Sequence, residues 1–297
     1  MALQMRFVKL ICCLFLLSHN IDFYTQEKYP AKDSLSILSW NIQMLPNFYA
    51  PFSKYVRKKQ SKRLPEIIKY LETSSIDVVV LQEVFDVDIK RKLKNKLSHA
   101  YPFIQLPIKK GINLQLSNGI MILSKFPIQY HSHVQFSKES GNEKMAQKGC
   151  AMVSCKWKGK TIFIAGTHLN SLSQEARRNQ YKKIYSAIVE PLKNDSTPLV
   201  VAGDFNTDFN SRYYDEMINI LQLENSPLTD SLPFTYAETN SWNYKNYNVW
   251  IDYVFHKTNN KMSILNHYII RPTMKLNENV IDLSDHYGIV ITIEINS

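Results

Sequence analysis

The chain has 297 residues, 44% of them hydrophobic and 21% charged, a length and balance that exclude a disordered chain; the lack of any fixed-period repeat excludes a solenoid. One large hydrophobic core is therefore expected. Lys and Arg number 36 against 26 Asp and Glu, and the resulting +10 favours anionic surroundings, nucleic acid or acidic membrane, without choosing between them.

At the N-terminus Arg6 and Lys9 lead into the apolar run Leu10 to Leu17, too short to span a bilayer and shaped like a secretory signal. Residues 1–20 are read as a signal peptide, with secretion or the cell envelope as the destination. Ser18-His19-Asn20 offers no clear small-x-small cleavage site, so an uncleaved anchor stays open as the alternative. Beyond the segment that holds Cys12 and Cys13, the cysteines are Cys150 and Cys155. Five residues apart in one extended run, these two would lie roughly 16 Å apart on opposite faces. No structural disulfide and no zinc site are expected.

Residues 30–297 read as one catalytic domain of alternating strands and helices. Leu35 to Trp40 is a strand, followed by a basic helical stretch from Arg57 to Leu71 that Pro65 should interrupt. Val78 to Leu81 is a buried strand ending at Glu83, and Asp88 to Leu97 a charged surface helix. Asn118 to Leu123 and Cys150 to Trp157 are strands; Lys158-Gly159-Lys160 turns into Thr161 to Ala165, which leads to His168. Ser171 with Gln174 resembles a capping box for a helix running to Val189, before Pro191. Leu199 to Ala202 is the strand leading to Asp204, and further strands lie near Val249 to Phe255, Ser263 to Ile270 and Tyr287 to Ile295. Adjacent strand pairs with covering helices suggest two packed sheets with helices outside.

Six polar clusters stand at the ends of these apolar runs: Ser39-Trp40-Asn41, Gln82-Glu83-Val84, Gly166 to Asn170, Gly203-Asp204-Phe205-Asn206, Ile251-Asp252-Tyr253 and Ser284-Asp285-His286. A carboxylate closing a core strand, as Glu83 does, must be solvated, paired or bound to a cation. Asn41, in the equivalent place after the first strand, can serve a phosphate or a metal-bound water. Asp204 and Asn206 share a face and can hold a nucleophilic water and a phosphoryl oxygen. His168 and His286 together can supply the acid or electrostatic clamp and the base that phosphoester hydrolysis needs near neutral pH. Asp252, and less readily Asp285, can fix the tautomer of His286. The other histidines receive no role.

The ordered set resembles the endonuclease/exonuclease/phosphatase superfamily over residues 35–295, and within it the bacterial-type neutral sphingomyelinases. The narrower resemblance rests on Asn41 to Pro46, Glu83 to Asp86, Asn118 to Ile128, Lys148-Gly149-Cys150, Gly166 to Leu169 and Asp282 to Tyr287. It implies a four-layer α/β sandwich of the deoxyribonuclease-like kind, two packed mixed sheets flanked by helices. It implies a Mg2+ ion at Glu83, with Mn2+ or Co2+ as substitutes and Asn41, Asp204 and Asp285 as further oxygen donors. His286 is then the base, Asp204 and Asn206 surround the water and phosphate, and His168 stands on the phosphate or leaving-group side. The implied reaction converts sphingomyelin to ceramide and phosphocholine at a membrane surface, by a peripheral monomer with no nucleic-acid partner.

Secreted relatives of that group carry an aromatic hairpin before the Asp-His pair, whereas Arg271 to Val280 here is short and lacks aromatics. The aromatic-rich run Phe234, Tyr236, Trp242, Tyr244, Tyr247, Trp250 and Tyr253 is an alternative lipid contact or choline cage. It could equally stack nucleotide bases. A secreted nuclease of the same superfamily remains an alternative, for which the run Lys54, Arg57, Lys58, Lys59, Lys62 and Arg63 would have to serve the cleft. A catalytically inactive lipid-binding homologue is the third reading.

Overall fold

The computed structural model describes residues 33–46, 53–111, 115–136, 145–243, 246–257 and 261–296, with the backbone alone for residues 53–57. The expected signal segment 1–20, Tyr244 and the side chains of Lys54 and Arg57 lie outside the described residues. In chain order the elements are β1 (Leu35–Met44), α1 (Ser53–Thr73), β2 (Val78–Val84), α2 (Val87–Leu97), β3 (Phe103–Gln105), β4 (Met121–Ser124), β5 (Ile128–Gln135), β6 (Gly149–Trp157) and β7 (Lys160–His168). There follow α3 (Gln174–Ile184), β8 (Leu199–Asp204), α4 (Arg212–Leu221), β9 (Asp252–His256), β10 (Met262–Ile270), β11 (Thr273–Leu276), β12 (Asn279–Asp282) and β13 (Gly288–Ile295).

Two mixed sheets form the centre, in the orders β10-β13-β1-β2-β4-β3 and β5-β6-β7-β8-β9. Alternation along the strands decides which side chain faces which layer. Ile37, Val78, Val80, Ile122, Ile289 and Ile291 of the first sheet join Met152, Ile164, Val200 and Val254 of the second in one core. Their neighbours Leu38, Trp40, Val79, Leu81 and Val290 face the other way, onto Leu64, Ile67 and Leu71 of α1 and Leu93 and Leu97 of α2. On the far side Tyr181, Ile184, Met217 and Leu221 of α3 and α4 cover the second sheet. Helix, sheet, sheet, helix: the four-layer α/β sandwich is the fold.

Several local expectations change. Pro65 lies inside α1 without ending it: Pro65 and Ser61, whose carbonyl loses its partner, are both exposed, so water can take that bond while Leu64 and Ile67 hold the buried face. Ser173, not Ser171, caps α3, its Oγ accepting from the Ala176 N–H at 3.2 Å. The last turns before Pro191 are a π-helical segment, Tyr185–Val189. β5, half exposed and polar, and α4, an amphipathic helix that buries Met217 and Leu221, are elements that the sequence reading did not include. The Lys158-Gly159 turn has positive φ at both residues, as a two-residue hairpin requires. Cys150 and Cys155 are buried free thiols.

Gly203 closes the gap between β7 and β8 directly before Asp204. A Cβ there would stand 2.1 Å from the Thr167 carbonyl oxygen, a backbone atom that cannot step aside. Gly203→Ala is expected to lower stability by about 1–3 kcal/mol, and to depress activity more than that loss explains, because the displaced strand end carries Asp204. A thermal melt paired with an assay at a temperature where both proteins remain folded checks this.

Candidate active site

Sheet register brings the six clusters to one end of the sandwich. β1 and β2 run parallel with Asn41 beside Gln82, and β7 and β8 run parallel with His168 beside Asp204. β9 is antiparallel to β8 with Asp252 opposite Asp204, and β13, antiparallel to β1, begins just after Asp285-His286. C-terminal ends of the parallel strands therefore meet N-terminal ends of the antiparallel ones. Three residues of this edge, Gln43, Glu83 and Asn206, hold positive φ, a conformation non-glycine residues adopt at a cost of order 1–3 kcal/mol and usually where a site over-determines it.

Asp252 is fully buried, and His286 Nδ1 lies 2.9 Å from its Oδ2. The other ring nitrogen of His286 lies 3.8 Å from Asp204 Oδ2. His168 Nε2 approaches the same Asp204 oxygen at 3.5 Å. Asn41 Nδ2 donates to both Glu83 Oε1 and Asp204 Oδ2 at 3.2 Å, so this one carboxamide ties the two sheets' acidic groups together. Asn206 is fixed twice: its N–H donates to Asp204 Oδ1 at 2.9 Å and its Nδ2 to the Leu169 carbonyl at 3.2 Å. Asp285 is held by Gln43 Nε2 at 2.6 Å and not by His286.

Charge is concentrated here and the protonation states follow. Burial pushes the Asp204 carboxyl up to about 7, with the Asp252 charge adding to it. Burial, then the charge of Asp285, raises Glu83. For His286 burial opposes the charged form, but Asp252 and Asp204 outweigh it and hold the imidazole well above its ordinary value. His168 is driven well below its ordinary value by burial and then by Lys148; it is neutral at pH 7. The two histidines thus differ because burial prevails at His168, with Lys148 adding to it, whereas Asp252 and Asp204 outweigh burial at His286.

Two groups fit a cation by composition. Asp204, Asp252 and His286 offer ligand atoms within 4.8 Å of one another. With Asp252 Oδ2 already engaged by His286 Nδ1, however, that trio has the arrangement of a base and its orienting carboxylate. Glu83, Asp285 and Asp204, with the Asn41 carboxamide among them, form an oxygen-rich set whose mutual repulsion a hard divalent ion would relieve. Those residues fit a hard divalent cation.

The floor just described belongs to a cavity of about 440 Å³ whose walls include Leu45, Phe85, Leu116, Met145 and Leu172, with Tyr236 and Tyr247 on one side. These two rings stack at 5.6 Å, and Tyr236 meets the His286 ring edge-on at 5.2 Å. Of the aromatic run, Trp250 and Tyr253 are core residues and Trp242 lies elsewhere. Lys58, Lys59 and Lys62 line a different groove.

The sequence profile of the Endonuclease/Exonuclease/phosphatase family matches residues 38–286. The chain belongs to this family. It is 30% identical over 247 residues to Sphingomyelinase C 2 of Leptospira interrogans (serogroup Icterohaemorrhagiae serovar Lai, strain 56601), a match covering 74% of this chain and 39% of that relative; the chain thus spans less than half the length of the Leptospira proteins it resembles. Its fold is similar to that of sphingomyelinase C from Streptomyces griseocarneus, at a TM-score of 0.70 and 22% identity over 87% of this chain and 99% of that one. A mutant of beta toxin from Staphylococcus aureus crystallised with bound magnesium ions superposes at a TM-score of 0.72 and 20% identity, covering 89% of this chain and all of that one (100%).

Within this family member, three groups at the site went unread in the sequence. Lys148 Nζ lies 2.8 Å from the Leu169 carbonyl and 3.4 Å from His168 Nε2, a cation on the cavity wall. Gln43 positions Asp285. Arg63, nearly fully buried, donates to the carbonyls of Ile42, Gln43 and Leu283 and so clamps β1 to the segment bearing Asp285 and His286. Lys148 stood in the family-like motif Lys148-Gly149-Cys150 without a role, and Arg63 was grouped with the basic run of its helix rather than read as a buried clamp.

Proposed function

We propose that the protein is a magnesium-dependent phosphodiesterase that hydrolyses sphingomyelin to ceramide and phosphocholine at a membrane surface, outside the cell or in its envelope. The reading is carried by one observation: the His286–Asp252 pair faces the acidic set of Glu83, Asn41 and Asp204 across the floor of an apolar-walled cavity. His286 Nε2 accepts the proton of a water attacking phosphorus, and Asp252 on Nδ1 fixes the tautomer and supports the imidazolium. Asn206 and Lys148 lie where they can hold phosphoryl oxygens. Neutral His168 and the Lys148 ammonium can donate hydrogen bonds to the leaving alkoxide of ceramide, which takes its proton from water. A bound magnesium ion would neutralise phosphoryl charge and steady that alkoxide. The stacked Tyr236 and Tyr247 present ring faces suited to a quaternary ammonium, at about 0.5–2 kcal/mol.

The sequence kinship to bacterial sphingomyelinases supports this substrate. A nuclease would need cations around the cleft, but among the described residues Lys148 is the lysine on its wall, and Lys58, Lys59 and Lys62 of α1 line another groove. Phosphocholine release from sphingomyelin liposomes, with magnesium and with chelator, tests the proposal beside plasmid nicking. Magnesium-dependent release without nicking is the expected result. Nicking without release would assign the same site to nucleic acid.

A further inference from the structure

On the outer side of the segment that carries Asp285 and His286 lies a second groove, of about 370 Å³, between α1 and the β11–β12 hairpin. One wall is cationic: Lys58, Lys59 and Lys62 stand on one side of α1, at helical spacings that make them neighbours. The opposite wall is apolar, formed by Met274, Leu276 and Ile281 of the hairpin, and Trp242 closes the groove. Lys59 Nζ sits 4.5 Å over the Trp242 ring and the Arg63 guanidinium 5.4 Å from it. Among the described residues, no acidic side chain lines the groove. Asp282, close by, is already satisfied by the Ser241 N–H and hydroxyl, and Glu278 lies at the hairpin turn. Val280, beside that turn, is 69% exposed.

A lysine wall facing an apolar one, with an amphipathic indole between them, matches an anionic lipid. Phosphate meets the ammonium groups and acyl chain meets the hairpin. We infer that this groove is a docking site for an anionic phospholipid of the membrane surface, distinct from the cavity that holds the substrate. The Trp242 indole N–H donates to the Asp282 carbonyl at 2.6 Å, and Arg63, which stacks on Trp242, donates to the next carbonyl, Leu283. A lipid seated in the groove therefore leans on the strand end that leads to Asp285 and His286. The docking site deepens the proposed function and rests on it, since it supplies the lipid surface for the same enzyme.

The test is co-sedimentation with vesicles of phosphatidylcholine alone and of phosphatidylcholine mixed with phosphatidylserine, neither containing sphingomyelin. Unmodified protein should prefer the anionic vesicles, and the triple variant Lys58→Ala, Lys59→Ala, Lys62→Ala should lose on the order of 10- to 100-fold in affinity for them. A second triple variant, Lys92→Ala, Lys94→Ala, Lys96→Ala on the exposed face of α2, removes the same charge elsewhere and should lose far less. Equal losses in the two lysine variants, or no preference for anionic vesicles, would overturn the docking site. So would a dimer broken by the α1 substitutions, which would give the groove to a second copy. Phosphocholine release from detergent-dispersed sphingomyelin separates the two proposals: its failure sinks the substrate assignment and leaves the vesicle result standing, and the reverse also holds.

Discussion

His286→Ala should abolish phosphocholine release to within the assay background, a loss on the order of 10³-fold or more in kcat with the fold intact. The size follows from the geometry: the ring has one nitrogen on Asp252 at 2.9 Å and the other directed at the acidic floor, and no other described histidine approaches a buried carboxylate within 3 Å. Asp252→Asn is the more informative companion. It keeps the shape but removes the charge that holds the His286 tautomer and raises its pKa. The base works only unprotonated, so activity falls as pH drops through its pKa. Lowering that pKa must move the acid limb of the kcat/KM profile to lower pH while the plateau falls, by roughly 10²-fold or more. A plateau loss with an unmoved acid limb would mean that Asp252 only fills space. A divalent charge that neutralises Glu83 and Asp204 weakens the carboxylates' pull on His286, so the limb in magnesium lies below its position for the cation-free protein.

Much of this was legible in the sequence, for a physical reason. Glu83, Asp204 and Asp252 interrupt or end runs that are otherwise apolar, and such a charge must have a purpose to be retained. Burial of both faces of β1, β2 and β8 likewise follows from their near-continuous apolar runs of Val, Ile and Leu. The groups that escaped notice are those whose neighbours come from afar in the chain. Arg63 is a lysine-like surface residue by sequence, and only the packing of α1 on β1 makes it a buried clamp. Tyr236 and Tyr247 reach the cavity because the loop before β9 folds back over it, whereas Trp250 and Tyr253 from the same run stack inside the core. Composition could not divide that run. The hairpin of β11 and β12 was seen as short and non-aromatic, but the groove it makes with α1 exists only in three dimensions.

Glu83→Gln is expected to separate the cation's role from a structural one. Glu83 stands at positive φ beside Asn41 and under the repulsion of Asp285, which with burial raises its carboxyl pKa. In chelator the substitution removes a like-charge neighbour without changing shape, so the melting temperature should hold or rise. In magnesium the unmodified protein should gain stability by mass action, about 2.7 kcal/mol at a hundredfold excess over Kd. The variant should lose most of that gain, and its phosphocholine release should drop on the order of 10²-fold or more at fixed magnesium, with partial recovery as magnesium is raised. The pH dependence supplies an independent sign. Protons on Glu83 and Asp204 compete with the cation, and the Asp204 carboxyl sits at about 7, so cation binding releases protons and affinity climbs between pH 6 and 8. Calorimetric titration of unmodified protein and variant at those two pH values should give a steeper rise for the former. A variant that melts several degrees lower in chelator, yet binds magnesium as before, would make Glu83 part of the scaffold and place the cation elsewhere on the acidic floor.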